Sequence, residues 1–299
     1  MDILVTGGTG QVGLELKRHA WPAGVEVHFP GRDELDLSKP DEISRVVASR
    51  HWSVVINAAA FTAVDKAETE VAEAWLLNAV APAVLAAEAA KANIPLVHVS
   101  TDYVFSGEKS EPYVEEDRIA PLGVYGASKE GGEQGVRSAR VRHAIVRTAW
   151  VVSEHRANFL KTMLRLARER DRLSVVADQW GCPTSARDFA GALVRVAIRL
   201  ASDDSAPTGT FHLVNAGETS WHGFAVEIMR RAFPNGGGPR IEAIQTCAYP
   251  TPAKRPANSR LATEKIEKAY GIKLRPWPEA IAEIIATLES KDNFTASER

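Results

Sequence analysis

An α/β fold, a doubly wound parallel sheet with a smaller C-terminal lobe, is the class that three observations predict. Short apolar runs rich in β-branched residues alternate with helical segments through the first 150 residues. The runs are nearly continuous in apolar character, which suits strands buried on both faces. A glycine-rich turn, Thr6-Gly7-Gly8-Thr9-Gly10-Gln11-Val12-Gly13, joins the first run to the first helix.

The strands are expected at 3–5, 25–29, 53–56, 96–99 and 144–147. Residues 71–92, dense in Ala, Leu and Glu, read as one helix among the connecting segments. The rhythm changes after about Trp150. Helices are expected at 158–170, 186–200 and 280–288, separated by Pro- and Gly-bearing loops at 181–184, 234–239 and 249–256. The polar tail 291–299 reads as frayed.

Composition narrows the function classes. A chain of 299 residues with 45% hydrophobic and 25% charged residues has the make-up of a globular protein with a large core. Net charge is −2 with Lys and Arg scattered, so no electrostatic footprint for nucleic acid is expected. No membrane-spanning run and no secretory leader are read, and a cytoplasmic protein is expected. Cys182 and Cys247 lack metal-ligand spacing and read as free thiols.

The glycine turn carries the first chemistry. Gly8, Gly10 and Gly13 satisfy the dinucleotide spacing, and Gly7, Gly10 and Gly13 a longer variant. Such glycines permit a tight turn, close approach of backbone to a pyrophosphate, and close helix–strand packing. The helix N-terminus then offers free N–H groups to the phosphates. The sheet is therefore expected to be Rossmann-type: residues 1–150 form a dinucleotide-binding domain to which later segments return, and 151–299 form mainly a substrate-binding lobe.

No acid ends the second strand, where a ribose-binding carboxylate would stand. Arg32 there is open to two readings, a partner for a 2′-phosphate or a solvated loop residue. Asp36 offers a carboxylate to an adenine amino group, with Leu37 packing on the ring; a loop acid is the alternative. Ala58 to Ala60, ending the third strand, are small enough to let a cofactor lie across it, unless they simply pack under a helix.

Tyr125 and Lys129 stand at i and i+4, one face of a helix. A lysine there is expected to lower the phenol pKa and make it a usable proton donor or acceptor. Thr101, ending the fourth strand, can hydrogen-bond and polarise a substrate carbonyl, or cap the following turn, as can Asp102. Trp150 follows the fifth strand. It reads either as a flat apolar wall for a ligand or as a core residue closing a hinge.

Assembled, these residues resemble the extended short-chain dehydrogenase/reductase family. The matching stretches are GGTGQVG (7–13), NAAAFTAVDKAE (57–68), STDYVFSG (100–107) and PLGVYGASKEGGE (121–133). RTAWVV (147–152), NFLKTMLRLA (158–167), DQWGCPT (178–184) and YPTPAKRPANSRL (249–261) extend the match over nearly the whole chain. The resemblance implies reduction of the 4-keto group of a dTDP-linked 6-deoxysugar by NADPH, with NADH possible, for cell-surface polysaccharide. It implies that Tyr125 protonates the oxyanion, Lys129 tunes it and holds the nicotinamide ribose, and Thr101 supports the carbonyl. Asp102 and Trp150 would lie near the substrate. Gly7, Gly10, Gln11, Val12, Gly13, Ala58, Ala60, Phe61 and Thr62 would hold the cofactor.

Some members of that group dimerise through a magnesium ion held by acids. Glu15 is available, but Arg187 stands where an acid would be expected, so no metal is predicted and the chain is read as a monomer or homodimer. Two other readings share the resemblance: an epimerase or dehydratase recycling tightly held NAD, and a non-catalytic subunit like the regulatory β subunit of methionine adenosyltransferase. Retention of Thr101, Tyr125 and Lys129 favours catalysis.

Overall fold

The computed structural model describes the backbone of residues 1–297 and the side chains of residues 1–290. Five strands fall where the sequence places them: β1 (Asp2–Thr6), β2 (Glu26–His28), β3 (Val54–Asn57), β4 (Leu96–Thr101) and β5 (His143–Thr148). A further strand, Gly209–His212, pairs in parallel with β5. The six-stranded sheet runs Gly209–His212, β5, β4, β3, β1, β2, every neighbour parallel. Its winding reverses between β1 and β3. A crevice at their carboxyl ends is where such sheets take ligands.

Both faces are covered, which explains the unbroken apolar strands. Ile3, Val5 and Ile56 pack on one side with Leu16, Phe189 and Leu193, contributed by α1 (Gln11–Arg18) and the helix Ala186–Ser202. Leu4, Val55 and Ile145 pack on the other with Ile43, Leu85 and Val136, from helices Pro40–Ala48, Ala81–Lys91 and Val124–Ser138.

The helix expected at 71–92 is not uniform. It is α-helical over Val71–Trp75, opens into a π-turn over Leu76–Val80, and resumes over Ala81–Lys91. By length and composition Val71–Lys91 is apolar enough to cross a membrane, a run the sequence reading did not register. In this fold Ala81, Leu85, Ala86 and Ala89 of that stretch are buried in the sheet-flanking core.

Position 150 is a boundary in sequence more than in space. Helix Ala186–Ser202 and strand Gly209–His212 belong to the main sheet, and Ile266 of helix Glu264–Tyr270 joins its core. The remaining segments make a second cluster from Val152, Leu160, Leu173, Phe224, Ile228 and Ile281. The helix read at 158–170 is Phe159–Ala167, with Asn158 Oδ1 accepting from the Lys161 N–H at 3.1 Å as its N-cap. The last helix, Trp277–Ser297, is longer than the one read at 280–288. It covers much of the tail read as frayed; residues 298–299 lie outside those described.

Candidate active site

The glycine turn is shaped by backbone approach. Gly7 has φ +78°, and a Cβ there would stand 2.6 Å from the Ala58 carbonyl carbon. A Cβ on Gly13 would collide with the backbone of Gly7 and Gly8. Gly7 and Gly13 are thus the glycines the turn requires, whereas a Cβ on Gly10 would meet only the Gly7 oxygen at 3.5 Å. Gly10 N-caps α1 without any side-chain cap and is exposed, leaving first-turn N–H groups open toward the crevice. That cradle suits a pyrophosphate.

The flanking residues divide. The Gln11 side chain is committed to the second lobe: its amide donates to the Val151 carbonyl at 3.3 Å, and its oxygen accepts from Ser153 and Asn158, each at 2.9 Å. What it leaves for a cofactor is its backbone N–H. Val12 packs partly against the first core cluster. Across the crevice, Ala58 to Phe61 are half-buried and Thr62 is exposed. Phe61 is pinned by Asn78, whose Oδ1 accepts from the Phe61 N–H at 2.8 Å and whose Nδ2 donates to the Phe61 carbonyl at 3.1 Å.

At the end of β2, the Arg32 side chain is 77% exposed and only 3.8 Å from Asp36 Oδ1, a loose pair that leaves the guanidinium available. Asp36 serves its own turn, with Oδ1 accepting from the Ser38 N–H at 3.0 Å and hydroxyl at 2.8 Å. Those bonds lower its pKa. Leu37 packs against the core beneath the sheet. The turn role accounts for both residues at least as fully as an adenine contact does.

Tyr125 opens helix Val124–Ser138, and Lys129 follows one turn later. Lys129 is 2% exposed and its ammonium donates to the Val99 carbonyl at 2.7 Å. Burial lowers its pKa to about 8, against an upward pull from Glu133. The phenol of Tyr125 behaves contrary to expectation. Burial raises its pKa to about 12, the Thr101 hydroxyl pulls it down, and Asp102 pushes it up. No lowering by Lys129 accompanies it, and the Lys129 ammonium is turned to the Val99 carbonyl. The tyrosine is therefore a neutral phenol at pH 7, a donor rather than a base.

Thr101 and Asp102 are buried at the end of β4. The Thr101 hydroxyl donates to Asp102 Oδ1 at 3.1 Å and accepts from the Tyr103 N–H at 3.2 Å. Burial raises Asp102 to a pKa of about 6, with Ser259 and then Thr101 holding it down, and its Oδ2 has no protein partner. Thr148, paired with Thr101 across the β4–β5 register, likewise has a buried hydroxyl without a partner. These orphaned oxygens at the strand ends are what a site awaiting polar ligand groups contains.

Trp150 is partly buried, with φ +47°, an uncommon conformation for a bulky residue. Its ring stacks on Trp221 at 3.5 Å and 13°, and a Cβ on Gly181 would stand 2.5 Å from it. It packs against the cluster of Val152, Leu160 and Phe224 and against a smaller one that includes Phe105, Ala149, Cys182 and Leu261. That packing fits the core reading of Trp150 and is compatible with a flat wall beside the site.

Residues 1–290 match the family model of the RmlD substrate binding domain. The chain belongs to this family. A relative from Sinorhizobium fredii named dTDP-4-dehydrorhamnose reductase is 44% identical over 98% of the chain and 100% of its own length. Among solved structures, a dTDP-4-dehydrorhamnose reductase from Clostridium acetobutylicum superposes with a TM-score of 0.90 at 38% identity, covering 97% of this chain and 100% of that one. Another from Bacillus anthracis, in complex with NADP, has a TM-score of 0.88 at 31% identity, covering 96% of this chain and 99% of that one.

Several residues of this RmlD-family site escape a reading of sequence. Asn78 sits in the π-turn and, besides holding Phe61, donates to Ser128 at 3.1 Å, tying the crevice loop to the Tyr125 helix. Arg255 pairs with Asp65 at 2.9 Å across 190 positions, closing the C-terminal loop over the site. Tyr103 meets Tyr125 edge-on at 5.4 Å. Arg255 lies within the stretch 249–261 that carried the resemblance; nothing local marks Asn78. Elsewhere, Glu15, Glu154 and His155 place ligand atoms within 4.8 Å of one another, a grouping able to hold a cation. Arg18 already pairs with Glu154 and stands 3.8 Å from Glu15.

Proposed function

We propose that the chain reduces the 4-keto group of dTDP-4-dehydro-β-L-rhamnose to the hydroxyl of dTDP-L-rhamnose with NADPH. One observation carries the reading: Thr101 and the neutral phenol of Tyr125 converge at the end of β4, in a chain similar throughout its length to reductases named for this substrate.

The glycine turn and the open first turn of α1 fit a dinucleotide pyrophosphate, and Arg32 fits a 2′-phosphate. Held there, a nicotinamide would supply the hydride that goes to C4 of the sugar. Thr101, turning its one hydroxyl proton from Asp102 Oδ1, hydrogen-bonds the C4 oxygen and so favours charge building there. Tyr125 then passes its phenolic proton to that oxygen, completing the hydroxyl. The raised pKa keeps the proton in place until a strongly basic alkoxide forms. Lys129, fixed by Val99, holds the nicotinamide ribose. Trp150 provides an apolar wall for the sugar's methyl group. Asp102 Oδ2 accepts from a sugar hydroxyl. We further infer a cytoplasmic enzyme acting as a monomer or homodimer. Its product would feed cell-surface polysaccharide.

With C4-deuterated NADPH, deuterium should appear at C4 of a dTDP-rhamnose product by NMR. Label at another carbon, or none in the sugar, would overturn the assignment.

A further inference from the structure

Helix Val124–Ser138 carries a third residue in register with the catalytic pair. Tyr125, Lys129 and Glu133 recur every four positions, one above the other on the buried face. Glu133 is fully buried. Its carboxylate takes a two-pronged contact from Arg147, Nε to Oε1 at 2.8 Å and an Nη to Oε2 at 2.6 Å, and a third bond from Arg137 at 2.9 Å. Arg147 is itself 1% exposed and lies over the Phe105 ring. A buried arrangement of this kind is costly to maintain as mere packing, since well-packed apolar residues often serve stability as well.

We propose that Glu133 is a positioning residue that acts through Lys129: it is the buried counter-ion that keeps the Lys129 ammonium charged while its hydrogen bond to Val99 aims it at the cofactor ribose. The inference rests on the role given to Lys129 above.

The surroundings leave Glu133 as the charge that bears on Lys129. Burial alone would raise Glu133, but Arg147 and Arg137 hold it ionised, at about 2. On the same helix, Glu130 is pushed up to about 7 by burial and by Glu133, and it pairs with Arg137. From β4, buried His98 is held well below its usual pKa by desolvation, then by Lys129. From β5, His143 is lowered by burial. From Gly209–His212, His212 is lowered to about 3 by burial, then by Arg147; Glu115, which accepts from the His212 N–H, is raised by burial. Asp102 and Tyr103 flank Tyr125 and have their own pKa values raised by burial. The histidines are neutral at pH 7, and three cations, Lys129, Arg137 and Arg147, share the two carboxylates of Glu133 and Glu130. Burial would otherwise drive Lys129 toward its uncharged form.

The test follows NADPH affinity by fluorescence titration from pH 6.5 to 10, alongside thermal melts. Wild-type affinity should weaken on the alkaline side as Lys129 loses its proton. In Glu133→Gln that weakening should begin about one pH unit or more lower. Glu133→Asp should recover most of the shift. Lys129→Met should flatten the alkaline limb. If Lys129→Met keeps the limb, the reading of Lys129 itself is wrong. If Lys129→Met flattens it but folded Glu133→Gln leaves its position unchanged, Glu133 is only structural. Should Glu133→Gln fail to fold, Glu133→Gln/Arg147→Met removes the stranded cation too, and the same comparison applies to it.

Discussion

The ammonium of Lys129 donates to the main-chain carbonyl of Val99 at 2.7 Å, on the strand that ends in Thr101. Its hydrogen-bond partner is thus the sheet, not the phenol one turn away. Tyr125 is left buried with a pKa of about 12, suited to giving a proton and unsuited to taking one at pH 7. Tyr125→Phe should therefore bind NADPH normally and lose turnover by about 10²–10⁴-fold, the usual range for a general acid. Single-turnover kinetics check it. A variant with wild-type kcat, with chemistry shown to be rate-limiting, would remove the phenol from the mechanism.

Arg32 stands free of a close partner at the end of β2, with no acid to meet ribose hydroxyls. Arg32→Ala should weaken NADPH more than NADH. An exposed charge-assisted contact of this kind is worth roughly 1–1.5 kcal/mol, about tenfold at most. Calorimetric titration of both cofactors measures it. Equal losses would make Arg32 an ordinary loop residue.

Trp150 and Trp221 stack face to face against the cluster of Val152, Leu160 and Phe224. Truncating either to Ala should lower stability, by about 2–4 kcal/mol for a large aromatic in a packed site. Only Trp150→Ala should also raise KM for the sugar nucleotide while leaving NADPH affinity intact. Matching kinetic effects in the two variants would confine Trp150 to packing.

Asp102 has its pKa raised from 3.8 to about 6 by burial. Its ionisation is harder in the folded chain than in the unfolded one. The stability it leaves in place below pH about 4 is therefore lost as pH rises through about 6, at most about 3 kcal/mol. Asp102→Asn cannot ionise. Its melting temperature relative to wild type should rise between pH 4.5 and 7.5. A constant difference across that range would show that Asp102 does not carry the shift.

The fold was legible because apolar strands buried on both faces announce themselves, and because the glycine turn leaves little freedom to the backbone at Gly7 and Gly13. Strand Gly209–His212 was missed: four residues, Gly-led, carry almost no periodic signal. Tyr125 and Lys129 could be named from their spacing together with their place after the fourth strand, and Thr101 from its place at that strand's end. What spacing could not give was the sense of the Tyr125 shift, since that depends on burial and on where Lys129 points. Nor could it give Asn78, Glu133 or Asp65–Arg255. Apart from Arg137, one turn from Glu133, their partners lie between 14 and 190 positions away and are brought together only by the fold.

Oxidation of NADPH in the presence of dTDP-4-dehydrorhamnose, compared with the UDP- and GDP-linked 4-keto-6-deoxysugars, tests the central claim most directly. The account predicts rapid oxidation with the dTDP sugar and a kcat/KM for it at least about tenfold above the others. No oxidation with the dTDP sugar, or a clear preference for a UDP or GDP analogue, would contradict it.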